Sequence, residues 1–128
     1  GNPVSMAASL ATLKELQTPG SYERLHEMGN ILREGLREIV REGGITAQVI
    51  GDGPMGQVIF TKEKIVDYRS VFRADRAKAR KFMLGLFERG IFLNPMGTKL
   101  YISLAHTDGD IYKFLERVRE VLSTMEEK

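Results

Sequence analysis

An α+β fold, built as a small and mostly antiparallel sheet covered on one face by helices, is what this 128-residue sequence predicts. Three observations predict it. Segments with apolar residues three and four positions apart stand at both ends of the chain. Short β-branched or aromatic runs cluster between them. A Gly-Asp-Gly-Pro turn joins two of those runs, as in a hairpin. The expected order is α, α, β, β, α, β, β, α, in a single domain covering residues 1–128.

Asn2 and Pro3 open the first helix, because Asn caps free N–H groups and Pro at the first helical position loses no bond. Met6, Leu10, Leu13 and Leu16 form its apolar stripe, and Thr18-Pro19-Gly20 ends it. This helix, residues 1–18, is the odd member, expected to pack either on this domain or on material outside the chain. From Tyr22 to Glu42 a longer helix lines up Leu25, Met28, Leu32, Leu36 and Ile39, with Arg33, Arg37 and Arg41 placed away from that face, and Gly43-Gly44 stops it. Ala47–Ile50 and Gln57–Phe60 are the hairpin strands. Glu63 to Ser70 is a connection. A third helix, from about Asp75 to Arg89, buries Phe82 and Leu86 and ends at Gly90. Ile91–Leu93 and Leu100–Leu104 are expected as two more strands, separated by the loop Asn94-Pro95-Met96-Gly97-Thr98-Lys99. Thr107 caps the last helix, with Asp110 three residues on, and Ile111, Phe114, Leu115, Val118, Val121, Leu122 and Met125 form its apolar face.

Composition narrows the function classes. The apolar fraction is 42% and the charged fraction 28%, which excludes a disordered linker. With 19 Lys and Arg against 17 Asp and Glu, the net charge of +2 does not by itself call for nucleic acid or a membrane, and neither is expected as a partner. The absence of cysteine excludes disulfides, thiolate zinc sites and a cysteine nucleophile. A cytoplasmic location is expected, since no apolar run approaches a membrane span and the first residues carry no signal-peptide core. Position 1 is Gly rather than an initiator Met, so the chain is expected to belong to something longer.

Several constellations have plain structural explanations. Gly51-Asp52-Gly53-Pro54-Met55-Gly56 has the G-x-G-x-x-G spacing, but a dinucleotide loop must open a helix, and Gln57-Val58-Ile59-Phe60 reads as strand. Arg69, Arg73, Arg76 and Arg80 would share one side of a continuous helix, with Lys78 and Lys81 nearby. A solvated face or a surface for an acidic partner explains that stripe better than nucleic acid does, because Asp67 and Asp75 interrupt it. His26 and His106 have no metal-ligand spacing between them, so surface or capping roles are expected and no metal site. Asp108 and Asp110 suit the positive end of a helix. No Gly-x-Ser-x-Gly elbow is present. The loop from Asn94 to Lys99, held between apolar segments and ending in a cation, is the place where a ligand contact is most expected.

A different line of inference starts from ordered matches. Gly1-Asn2-Pro3-Val4-Ser5-Met6-Ala7-Ala8 is similar to the Gly-Asn-Pro-hydrophobic-x-Met-Ala-Ala segment of class III aminotransferases, closest to the glutamate-1-semialdehyde aminomutase branch. Ala11-Thr12-Leu13-Lys14-Glu15-Leu16, Tyr22-Glu23-Arg24-Leu25, Asp67-Tyr68, Ala74-Asp75, Leu86-Phe87-Glu88-Arg89-Gly90-Ile91 and Ser103-Leu104-Ala105-His106-Thr107 agree in order and spacing.

The resemblance implies the C-terminal third of a fold-type I, pyridoxal-phosphate-dependent enzyme that performs amino-group transfer. It implies that the Schiff-base lysine lies upstream, since none of Lys14, Lys62, Lys64, Lys78, Lys81, Lys99, Lys113 or Lys128 matches it. No catalytic residue is therefore assigned here, and the chain alone is expected to be inactive and not to hold the cofactor. Gly1 and Asn2 would adjoin the turn that reaches the cofactor phosphate across a homodimer interface. Asn94, Pro95, Met96, Gly97, Thr98 and Lys99 would form part of the substrate mouth. There the aminomutases carry Ser-Gln-Phe-Glu after Pro, whereas Met96-Gly97-Thr98-Lys99 is one residue shorter and lacks the glutamate. A cation at that place would suit a substrate carboxylate and a related aminotransferase. The implied partners are an upstream cofactor-binding domain and a second subunit. The alternative expectation is a free-standing, non-catalytic binding or interaction module with the same fold.

Overall fold

A computed structural model describes residues 1–94 and 97–126. Among them the order is α1 (Pro3–Leu16), α2 (Ser21–Glu42), β1 (Gln48–Ile50), β2 (Met55–Ile59), α3 (Tyr68–Phe72), α4 (Arg76–Glu88), β3 (Lys99–Tyr101) and α5 (Asp108–Glu126). The fold is α+β, as expected. The three strands form one antiparallel sheet in the order β1-β2-β3. Val49 faces Val58 across the hairpin, and Gln57 faces Lys99 across the second pair.

Side chains alternate across a strand, so β2 sends Gly56 and Val58 toward the helices and Gln57 and Ile59 to the other face. Leu25, Met28, Leu32, Leu36 and Ile39 of α2, Phe82 and Leu86 of α4, and Ile111, Phe114, Val118, Val121 and Leu122 of α5 close over Val58 and Leu100 as one core. Phe60 and Phe82 meet edge to face at 5.6 Å, a favoured aromatic geometry.

Arg33 departs from the expected polar face of α2. It is only 5% exposed, and it donates to the carbonyls of Gly53 at 2.5 Å and Met55 at 2.9 Å and to Asn30 Oδ1 at 2.6 Å. A buried guanidinium thus holds the hairpin loop by saturating its carbonyls. Gly29 makes this approach possible, since a Cβ there would stand 1.8 Å from the Gly53 carbonyl oxygen.

Three further expectations need correction. Ile91–Leu93 is not a strand. Gly90 takes φ +76°, and the Ile91 amide bonds back to Leu86 at 2.9 Å, so the run serves the end of α4 rather than a ladder. Leu93 still enters the core, while Phe92 stacks outside on Phe87 at 5.3 Å. The connection expected from Glu63 to Ser70 contains the start of α3, which Asp67 and Ser70 begin with reciprocal bonds of 2.8 and 3.1 Å. Finally, Arg69, Arg73, Arg76 and Arg80 do not share a helix face. The chain leaves α3 at Arg73, and Asp75 caps a new helix through Lys78 N at 2.8 Å.

Candidate functional site

The loop before β3 is anchored at one end by a single side chain. Thr98 is 5% exposed, and its hydroxyl donates to the Val58 carbonyl, outside the β2–β3 register pairs. The next residue, Lys99, opposes Gln57 and projects to solvent. Thr98 stands at the bend immediately before β3, so its bond fixes the point from which Lys99 enters the strand. Pro95 and Met96, two of the expected site residues, lie outside the described residues.

Two grooves flank this loop. One, of about 570 Å³, runs over the open face of the sheet between Ile59, α3, the start of α4 and Gly97-Thr98-Lys99. The other, of about 400 Å³, lies between Ile91–Asn94, β3 and the start of α5, and it includes Lys99, His106, Asp110 and Lys113. Asn94 and Lys99 border the second groove and Gly97, Thr98 and Lys99 the first, so the described part of the loop is divided between the two and only Lys99 touches both.

The turn into α5 is tightly bonded. Ser103 N donates to His106 Nδ1 at 3.0 Å, which requires an unprotonated Nδ1, and Thr107 and Asp110 exchange bonds of 2.8 and 3.2 Å. The Thr107 backbone N–H, aided by its hydroxyl, holds the Asp110 carboxyl below the ordinary value of 3.8. Asp67 is lowered in the same way by the Ser70 backbone and side chain. His106 is exposed and accepts within the turn before α5, while Thr107 and Asp110 make the cap itself. His26 lies beside Gly53 on the exposed side of α2. No group of three His, Cys, Asp or Glu suited to a metal ion occurs among the described residues.

Gly1 and Asn2 sit at the free end of α1. The Asn2 side chain accepts from Val4 N at 2.9 Å, which is the capping role its position predicts. α1 meets the domain at α2, and none of its residues is buried.

The family model for class III aminotransferases matches residues 1–122. The chain belongs to the class III aminotransferase family. This class III domain is 41% identical over 126 residues to a glutamate-1-semialdehyde 2,1-aminomutase of Desulfitobacterium hafniense, a match covering 98% of the chain and 29% of that relative. It is 39% identical over 124 residues to an enzyme of the same name from Thermus thermophilus, covering 95% of the chain and again 29% of the relative. Its fold superposes on an omega-transaminase from Sphaerobacter thermophilus with a TM-score of 0.88 at 30% identity, covering 96% of this chain and 28% of that one. The chain spans 29% of the length of the two relatives.

Arg33 was missed in the sequence, its burial being signalled only by its i, i+4 spacing from Gly29; Arg76 and Arg80, read there as part of a basic stripe, line a groove that also takes in Lys99. The Asp67-x-x-Ser70 spacing was present as a capping signal.

Proposed function

We propose that this class III domain is the C-terminal part of a longer pyridoxal-phosphate-dependent aminotransferase or aminomutase, where it shapes the substrate mouth and supports a homodimer. The observation that carries the proposal is the family match along residues 1–122 in a chain spanning 29% of its relatives. A transaminase of the same fold is described with that cofactor bound. Pyridoxal phosphate, when bound in the longer protein, supplies the electron sink for amino transfer.

The described residues here do not fit the cofactor by themselves. Lys99, the lysine at the loop, is exposed at a groove rim rather than enclosed. Its assigned share is to bind: Thr98 fixes the strand, and Lys99 presents a cation to a substrate carboxylate. This favours an aminotransferase over a strict aminomutase. Gly1 and Asn2 are proposed to adjoin the cofactor phosphate across the subunit interface, and α1 to pack on the upstream domain. A cytoplasmic location is proposed with them.

The decisive experiment is to sequence the gene upstream of Gly1. A reading frame with a lysine-bearing cofactor domain is expected; its absence would end the proposal. In the longer protein, Lys99→Glu is expected to raise KM for an amino-acid donor about tenfold or more, the scale of a lost charge-assisted bond. An unchanged KM would remove Lys99 from the mouth.

A further inference from the structure

We propose that the groove over the open face of the sheet is a docking seat for a polypeptide segment that presents an apolar side chain flanked by carboxylates. The proposal rests on the reading above, that the chain is part of a longer protein, and names the kind of segment that covers this face.

The groove is apolar at its base and cationic at its rim. Ile59 is 3% exposed yet stands apart from the main core, on the face opposite Val58. Val71, Met83 and Leu84 continue that surface, and Phe60, 2% exposed, backs it from the main core. Arg76 and Arg80 rise from the first turns of α4 at this rim, while Lys99 of β3, which also borders it, is left to the substrate mouth. Among the described residues no carboxylate lies within ion-pair distance of Arg76 or Arg80. Asp75, the acid on the rim, is occupied in capping α4.

Charge separates this region from the rest. Residues 62–81 hold eight Lys and Arg against three Asp and Glu, a net +5 in a chain of net +2, so everything outside that segment sums to −3. Beside the groove, Tyr68 and Phe72 are 75% and 53% exposed with ring centres 6.1 Å apart, and the Arg76 guanidinium lies 4.3 Å from the Phe72 ring centre. Exposed Tyr and Arg around an apolar pocket is the composition of a protein-binding hot spot.

A concave apolar groove fits a side chain better than it fits a flat membrane. The five residues of α3 are too few to lay an amphipathic face into lipid. Nucleic acid would need the arginine stripe to be continuous, and the break before α4 divides it, with Arg73 drawn to Glu63 at 2.9 Å.

The test uses the ¹⁵N-labelled 128-residue chain, the blocked peptide acetyl-Glu-Leu-Phe-Glu-amide and its counterpart acetyl-Lys-Leu-Phe-Lys-amide. The acidic peptide is expected to shift the amides of Gln57, Ile59, Ala79, Arg80, Thr98 and Lys99. The basic peptide, or the double variant Arg76→Glu/Arg80→Glu, is expected to weaken the effect about tenfold or more. Both arginines lie at the groove rim outside the core, so that variant keeps its spectral dispersion; Arg76→Gln/Arg80→Gln is expected to give an intermediate loss. The proposal is overturned by no shifts at millimolar peptide, by equal shifts with both peptides, or by tighter binding of phosphatidylserine vesicles or duplex DNA. Concentration-dependent shifts of the same amides without peptide would overturn it too, in favour of a second copy. Missing an upstream cofactor domain leaves these shifts unchanged, and absent shifts leave the gene test untouched.

Discussion

Helices α1 and α2 both carry an apolar stripe, and the structure treats them in opposite ways. In α2 the stripe of Leu25, Met28, Leu32, Leu36 and Ile39 is buried, whereas α1 rests only Leu16 against the core and leaves Leu10 and Leu13 more than half exposed. The sheet repeats the contrast, with Val58 sealed under helices and the face of Gln57 and Lys99 open. The lesson is that periodicity identifies a face made for burial but not the partner that buries it. One half of this domain seals its apolar faces; the other half leaves them exposed.

The largest expected effect tests the sealed half. Phe82→Ala removes a fully buried ring that contacts Phe60, and the loss should be about 3–5 kcal/mol in chemical denaturation. A loss below about 1 kcal/mol would mean that the α2–α4–α5 core is not the source of stability.

Next in size is the latch between α2 and the hairpin. Arg33→Ala leaves the Gly53 and Met55 carbonyls without their donor, a cost of about 1–3 kcal/mol that Arg33→Lys should not fully restore. Gly29→Ala should cost about as much by pushing the loop away. Full rescue by lysine would show that charge, not the forked geometry, holds the loop.

Acidification should reach the caps of α3 and α5. The carboxyls of Asp67 and Asp110 are lowered in the folded state, so their stabilisation is present above the ordinary value of 3.8 and is lost as pH falls through their folded values. A thermal melt is expected to weaken below that pH, and Asp110→Asn should flatten part of the dependence. An unchanged profile in the variant would show that the Thr107 bonds do not lower this acid.

The smallest effect belongs to the exposed half. Leu10→Ala on α1 should change stability by less than about 0.5 kcal/mol, as for an exposed site. Light scattering should show self-association of the isolated chain through this stripe, reduced by Leu10→Glu/Leu13→Glu. A monomer at every concentration would sink that use of the face.

What was legible in the sequence follows the same division. Repeats of three and four mark α2, α4 and α5, and the Gly-Asp-Gly-Pro turn marks the hairpin, because each is a local signal. Ile91–Leu93 misleads because an apolar run after a glycine suits a strand and a helix cap equally, and only the bond from Ile91 to Leu86 decides. Arg33 reads as a solvent-facing residue because charge usually marks that face; its burial depends on carbonyls twenty and more residues away. At the loop, Lys99 was legible as a cation beside apolar strands. Arg76 and Arg80 were legible as part of a basic stripe but not as groove partners of Lys99, since only the fold brings them to one groove.

Hydrogen exchange of the 128-residue chain, alone and within the longer protein, tests the central claim most directly. The account predicts that α2, α5 and β2 are protected in both, and that α1 exchanges freely in the isolated chain at concentrations where it is monomeric and becomes protected in the longer protein. Strong protection of α1 in the isolated chain, or free exchange of α1 in both, would contradict a domain made to be completed by the rest of an aminotransferase.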